Sequence, residues 1–413
     1  MMLDKRNSTL ALLALAVSAF AIGTTEFISV GLLPLISDDL RISVATAGLT
    51  VTLYALGVTF GAPVLTSLTS RVPRKTLLIG IMLVFIAGNS LAAAATSALL
   101  LFVARVLSAF AHGIFMSIGS TIAADLVPSD RRASAISIMF SGLTIATVTG
   151  VPLGTYLGQH WGWRVSFWAI AAIGIAALIA NVLLVPRGLR QSARTPFREQ
   201  AKLLSNVRIL LVFAITALGY GGTFVVFTYL SPLLHEVTGF AESTVAAILL
   251  LYGIAIAIGN VVGGRLANRN PLQALLYMFI VQAVVLLVLT FTAPLPAAGL
   301  ATVFFMGLLA FMNVPGLQVY VVILAEKYAP KAVDVASAFN IAAFNAGIAI
   351  GAYVGGLVTD SLGLVHTAWV GSIMVAIAVA LTAWSRKLEG HPKAKSGNDA
   401  VQEGSTNHSY GGI

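Results

Sequence analysis

Apolar residues in this chain come as long unbroken runs separated by short polar turns, without the alternation of a half-buried strand or the single stripe of a surface helix. A helix that is hydrophobic all round belongs in a large core or in lipid, and about 20 consecutive apolar residues cross the hydrocarbon layer. The runs predict twelve helical spans, at 9–34, 45–68, 76–97, 99–124, 134–158, 165–186, 207–234, 243–264, 272–292, 297–325, 335–358 and 367–385. Leu10 to Phe20 continues without an A-x-A-like site into apolar sequence through Leu33, so it reads as the first span and not as a cleaved signal. The expected class is an all-α membrane protein.

Sliding the chain against itself by 198 positions aligns Pro34 with Pro232, Tyr54 with Tyr252, Arg71 with Arg269 and Pro73 with Pro271. Further along the offset becomes 201, where Gly150 meets Gly351 and Gly154 meets Gly355. The chain is therefore a duplicated six-span unit. Because six is even, both copies enter the membrane from the same side, as parallel repeats whose shared interface is the expected substrate position. This divides the chain into a bundle at 1–186, a basic linker at 187–206, a second bundle at 207–386 and a tail at 387–413, whose Gly, Ser and Asn content predicts disorder.

Composition agrees with this reading. Only 9% of residues are charged and 58% are hydrophobic, where a soluble domain keeps roughly a quarter charged. The net charge of +9 does not point to nucleic acid, since the cations are scattered between apolar runs and form no basic face. With the N-terminus inside, 21 of the 24 Lys and Arg residues fall on cytoplasmic segments, Arg41 and Arg164 fall outside, and Arg105 lies within a span. The positive-inside rule then places both termini in the cytoplasm. Zero cysteines exclude disulfides, a thiolate nucleophile and Cys-ligated metals.

Several segments resemble the major facilitator superfamily. Thr66 to Lys75 (TSLTSRVPRK) is similar to a worn copy of its G-x-L-A-D-R-x-G-R-K loop, and Gly264 to Arg269 (GRLANR) is a better copy. Ser70 and Asn268 stand where the family places Asp, beside Arg71 and Arg269, so these gating loops lack the acid of a charge-based lock. Arg105 with Leu107, Ala109 and Gly113 resembles the family's motif around a buried Arg. The stretch Gly142 … Gly150-Val-Pro152-Leu-Gly154-Thr-Tyr-Leu-Gly158 is similar to the Gly/Pro-rich motif of drug:proton antiporters, although small residues at this spacing also serve plain helix packing. Thr24-Thr-Glu-Phe27 … Gly31-Leu-Leu-Pro34 and Ala109-Phe-Ala-His-Gly-Ile-Phe115 look closest to the bacterial sugar, nucleoside and chloramphenicol efflux branch.

The resemblance implies a major facilitator fold of two pseudo-symmetric six-helix bundles in the bacterial inner membrane. It also implies a monomer that exports a small solute in exchange for protons, with Phe27 and Phe115 near the substrate.

An ionisable side chain at bilayer depth marks a functional site by default; here these are Glu26, Arg105 and His112. Glu26 and Arg105 fall at similar depths on antiparallel spans and are expected to pair, with His112 two turns beyond Arg105 on nearly the same face. Burial favours a neutral carboxyl and a nearby guanidinium favours a charged one, so a tilt that changes their separation would load and release a proton. A static ion pair and a histidine bonded to a backbone carbonyl are the structural alternatives. Asp125 and Asp334, at span ends, are expected to be solvated.

The second half has no buried charge and offers Tyr220, Tyr229, Asn313, Gln318, Asn340 and Asn345, with Phe224 and Phe227 nearby. Such groups suit a neutral polar or aromatic solute and equally suit interhelical hydrogen bonds. No G-x-x-x-x-G-K-[ST] loop is present, so an ion gradient is the expected drive. A membrane enzyme would need H-E-x-x-H, G-x-S-x-G or a second buried carboxylate, and none occurs. No cofactor or metal is expected; the expected partners are a small-molecule substrate, protons and membrane lipid. A proton-coupled importer is the alternative function.

Overall fold

A computed structural model describes residues 5–69, 72–128, 132–187, 189, 203–267 and 270–389. Among them, twelve helices are long and apolar enough to cross a membrane. They are α1 (Lys5–Leu40), α2 (Val44–Leu68), α3 (Arg74–Ala93), α4 (Ala98–Asp125), α5 (Ala135–Trp161), α6 (Trp163–Leu184), α7 (Val207–Phe227), α8 (Glu242–Ala267), α9 (Pro271–Thr292), α10 (Pro296–Tyr328), α11 (Val333–Ser361) and α12 (His366–Glu389).

Four spans depart from the expected helices in length or regularity, each near a proline. The first span does not stop at Pro34: α1 runs through it to Leu40. A proline inside a membrane helix is tolerated because neighbouring helices re-satisfy the freed carbonyl. In the seventh span the helix opens at Thr228–Tyr229, four and three residues before Pro232, and continues as a short π-helical stretch, Leu233–Val237. In the tenth, α10 opens at Phe311–Asn313, where Pro315 has no N–H for the carbonyl of Phe311. A further wide turn, the π-helical Ala146–Gly150, interrupts α5.

The packing repeats with a period of six helices. In the first half α1 packs on α5 and α6, α4 on α2 and α3, and α3 on α6; in the second half α7 packs on α11 and α12, α10 on α8 and α9, and α9 on α12. The halves meet through α2 against α11 and α5 against α8, which are again equivalent pairs. The turns obey the repeat too. Gly162 ends α5 with φ 88° and Gly363 follows α11 with φ 102°, a left-handed conformation that favours glycine, and the two lie 201 positions apart.

Large apolar side chains such as Phe60, Leu99, Leu183 and Phe291 remain exposed on the outside of the bundles, as lipid-facing surfaces require. The ends that carry Lys5 and Glu389 lie on one side, since the number of spans is even. On that side Arg74 pairs with Asp125 at 2.6 Å, which corrects the expectation of a solvated Asp125. The expected tail boundary also shifts: α12 continues through Lys387 and Leu388 to Glu389, whose carboxylate is held by Arg208 at 2.5 Å and Lys327 at 2.7 Å. Each of these pairs stays within one half. On the opposite side Gln159 of α5 donates to the carbonyl of Glu242 of α8 at 2.6 Å, a tie across the halves. The gating-loop residues Ser70, Arg71, Asn268 and Arg269, most of the linker (190–202) and the tail from 390 lie outside the described residues.

Candidate transport site

Glu26 and Phe27 sit midway along α1, which presents different faces to different neighbours. One face carries Thr24, Ile28 and Leu32, and it meets Gly150, Gly154 and Gly158 of α5 in register, so closely that a Cβ on any of these glycines would overlap the opposing side chain. The antiporter-like glycines thus seat α5 on the helix that bears Glu26. Pro152 is buried beside them in the same turn. The corresponding glycines of α11, Gly351 and Gly355, approach the backbone of α7 at Gly221 and Val225.

Thr25, on another face, donates to Asn89 of α3 at 2.9 Å. Arg105 of α4 is 1% exposed and donates three hydrogen bonds, all to main-chain oxygens: Thr25 at 2.7 Å, Glu26 at 3.2 Å and Thr50 of α2 at 3.2 Å. The expected pairing of side chains is therefore not found. Arg105 reaches the helix that carries Glu26 but bonds its backbone, because the guanidinium fork fits carbonyls from two helices at once and every buried N–H needs a partner. The carboxyl of Glu26 has no ion pair or hydrogen bond among the described residues. The residue keeps 7% of its surface open.

The guanidinium of Arg105 lies 4.1 Å from the ring centre of Tyr54, within cation–π range. The Tyr54 hydroxyl shares a 3.1 Å hydrogen bond with Nδ1 of His112. His112 therefore bonds a side chain and not the backbone carbonyl of the structural alternative. Tyr54 is the residue that sequence reading missed here. It registered only as one member of the internal repeat, although a tyrosine in an apolar span needs a partner for its hydroxyl.

Across from Phe27 stands the second half's aromatic group. The Phe27 ring lies 6.0 Å from Phe224, 6.2 Å from Phe227 and 6.2 Å from Phe311. Tyr220 packs on Phe224 at 5.0 Å, Phe311 at 5.3 Å and Phe344 at 4.9 Å, and Phe227 stacks on Tyr252 at 4.9 Å. Phe115 does not join them. It is fully buried in the core of the first half with Phe85 and Phe167.

The amides of the second half separate into two groups. Thr216 donates to Asn340 at 2.8 Å, Asn340 donates to Gln318 at 3.0 Å, and Gln318 bonds Ser337, so this chain ties α7, α11 and α10 with its side-chain oxygens and amides occupied. Asn313, at the break in α10, donates to Gln282 of α9 at 3.1 Å, and Gln282 in turn bonds Thr223 and the carbonyl of Gly219. The Oδ1 of Asn313 is buried with no hydrogen-bond partner, and so is that of Asn345. Tyr229 is structural: its hydroxyl donates to the carbonyl of Ala352 at 2.9 Å and lies close to Gly356 of its own half and, across the halves, to Gly48. Gln282 was missed, though a lone glutamine between Leu275 and Leu289 was a legible signal.

An uncommitted carboxyl and a backbone-clamping arginine in the first half, with Phe27 beside them meeting the aromatic rings of the second half and its amides nearby, are features of a solute transporter of this fold. The match to the family described as Major Facilitator Superfamily spans residues 15–329, and the chain belongs to that superfamily. It is 72% identical over 379 residues to the uncharacterized MFS-type transporter YtbD of Bacillus subtilis (strain 168), covering 92% of this chain and 96% of that protein. It is 35% identical over 377 residues to a chloramphenicol resistance protein of Streptomyces lividans, covering 90% and 94%. The fold matches the crystal structure of a bacterial homolog to the human lysosomal transporter Spinster, in an inward-facing and unoccupied conformation, with a TM-score of 0.73 at 16% identity over 93% of this chain and 98% of that one. The protein is a multi-pass membrane transporter of the major facilitator superfamily.

Proposed function

We propose that the protein is a proton-coupled antiporter that exports a small polar or amphipathic solute, such as a sugar, a nucleoside or a chloramphenicol-like drug, across the inner membrane. The observation that carries this reading is the carboxyl of Glu26, an acid at membrane depth with no hydrogen bond or ion pair among the described residues. Such a group takes up and releases a proton without first breaking a static pair. Arg105 holds α1, α2 and α4 together around it. Substrate would stack on the aromatic rings of Phe27, Tyr220 and Phe224, with the buried, unpartnered Oδ1 of Asn313 available to a donor on the solute once the halves separate.

Export is the direction suggested by the resistance protein of Streptomyces lividans among the relatives. The charge distribution supports both termini in the cytoplasm, and alternating access would rock the halves about the α2–α11 and α5–α8 contacts. The test is a substrate-induced proton flux. In energised inverted vesicles carrying the protein, chloramphenicol or a nucleoside should release part of a preformed pH gradient. Solute movement that leaves the gradient untouched, at every solute in such a panel, would contradict antiport.

A further inference from the structure

Where α3 begins and α6 ends, a groove of about 430 Å3 opens at the membrane surface, lined by Arg74, Lys75, Ile79, Val182, Arg187 and Leu189 among others. It is separate from the transport site. Arg74 is neutralised by Asp125 at 2.6 Å. Lys75 donates to the carbonyls of Val182 at 2.7 Å and Val185 at 2.5 Å, capping the end of α6. Those acceptors are dipoles and offset only part of a full charge, and an ammonium has a third donor to give. Arg187 is exposed just beyond the cap, near enough to Lys75 for their charges to repel, and it has no acidic partner among the described residues.

Among the described residues the groove thus holds unneutralised positive charge at its rim, and its walls are apolar. Val182 is 43% exposed and its neighbour Leu183 74% exposed, on the outside of the bundle where acyl chains run. A soluble anion would use the cations but has no need of the walls, whereas a phospholipid uses both. Basic pockets between membrane helices are fitted to anionic headgroups in this way. We propose that this groove binds an anionic phospholipid, its phosphodiester on Lys75 and Arg187 and an acyl chain along Ile79 and Val182.

Native mass spectrometry of the purified full-length protein with phosphatidylglycerol and with phosphatidylcholine of the same chains tests this without any transport assay, so its outcome is independent of the proposed function. Phosphatidylglycerol should be retained preferentially. Arg187→Gln, beyond the helix end and exposed, should weaken that retention about fivefold, the equivalent of ~1 kcal/mol per basic residue near the surface. Arg265→Gln, which removes an exposed cation at the end of α8, should leave it unchanged. Equal retention of the two lipids, an unaffected Arg187→Gln protein, or the same loss in Arg265→Gln overturns the proposal. So does displacement of the lipid by water-soluble glycerol phosphate, which would make the groove a site for free anions.

Discussion

Arg105 bonds the main-chain oxygen of Glu26 at 3.2 Å and leaves its carboxyl alone. The cation and the acid meet at one turn of α1 without forming an ion pair, so the arginine acts as a brace between helices while the carboxyl is left without a hydrogen-bond partner among the described residues.

If Arg105 is a brace, its loss should be felt first in stability. Arg105→Ala removes three hydrogen bonds from a charged donor, each worth ~1.5 to 3 kcal/mol in proteins, and the purified variant should melt at a clearly lower temperature than the parent. Arg105→Lys keeps the charge but not the fork that spans two helices, and should fall between them. A lysine variant as stable as the parent would show that charge alone is enough.

Tyr54 and His112 share one hydrogen bond, so their effects should not add. Tyr54→Phe keeps the ring over Arg105 and loses the hydroxyl, at a cost of about 1 kcal/mol. His112→Leu should cost a similar amount on this account. The double variant, measured by thermal or denaturant unfolding, should be less destabilised than the sum. Strict additivity would mean the bond contributes nothing.

Asn313→Ala and Tyr220→Ala should both handle substrate poorly while retaining proton exchange at Glu26. The first removes the unpartnered acceptor and the second the centre of the ring cluster. Asn340→Ala should instead lower stability, because its amide is bonded on both sides. Binding measured by titration of each purified variant distinguishes the two groups; unchanged affinity in both Asn313→Ala and Tyr220→Ala would remove them from the site.

Gly253 of α8 faces the backbone of Val148 and Thr147 in the wide turn of α5, and a Cβ there would stand 2.8 Å from the Cα of Val148. Backbone cannot yield as a side-chain tip can, so Gly253→Ala should force the halves apart and slow transport. Gly264→Ala, whose nearest neighbour would be Pro315 at 3.9 Å, should be neutral. Transport rates of the pair in vesicles check this, and equal rates would mean that the α5–α8 contact is not tight during the cycle.

Much of this was legible in the sequence. Run length gave the twelve spans because lipid imposes one length on every helix, and the offsets of 198 and 201 foretold a packing pattern that repeats every six helices. Antiparallel spans also put Glu26 and Arg105 at one depth. What depth does not carry is rotation: whether a guanidinium meets a carboxyl or a carbonyl depends on side-chain torsions and on which other helix is within reach, here Thr50 of α2. A resemblance does not carry rotation either: it implied Phe115 near the substrate, and the ring points into the core of its own bundle. The helix openings at Tyr229 and Asn313 follow from Pro232 and Pro315, yet a proline alone does not say whether a membrane helix bends or breaks, as Pro34 in the unbroken α1 demonstrates.

The most direct test is accumulation against exchange in Glu26→Gln. Glutamine keeps the size of the side chain and much of its hydrogen bonding but cannot release a proton. In inverted vesicles with an imposed pH gradient, the variant should lose gradient-driven accumulation of substrate while downhill exchange persists. Full gradient-driven accumulation in Glu26→Gln would contradict the account and move the coupling site away from this carboxyl, with His112 the next candidate.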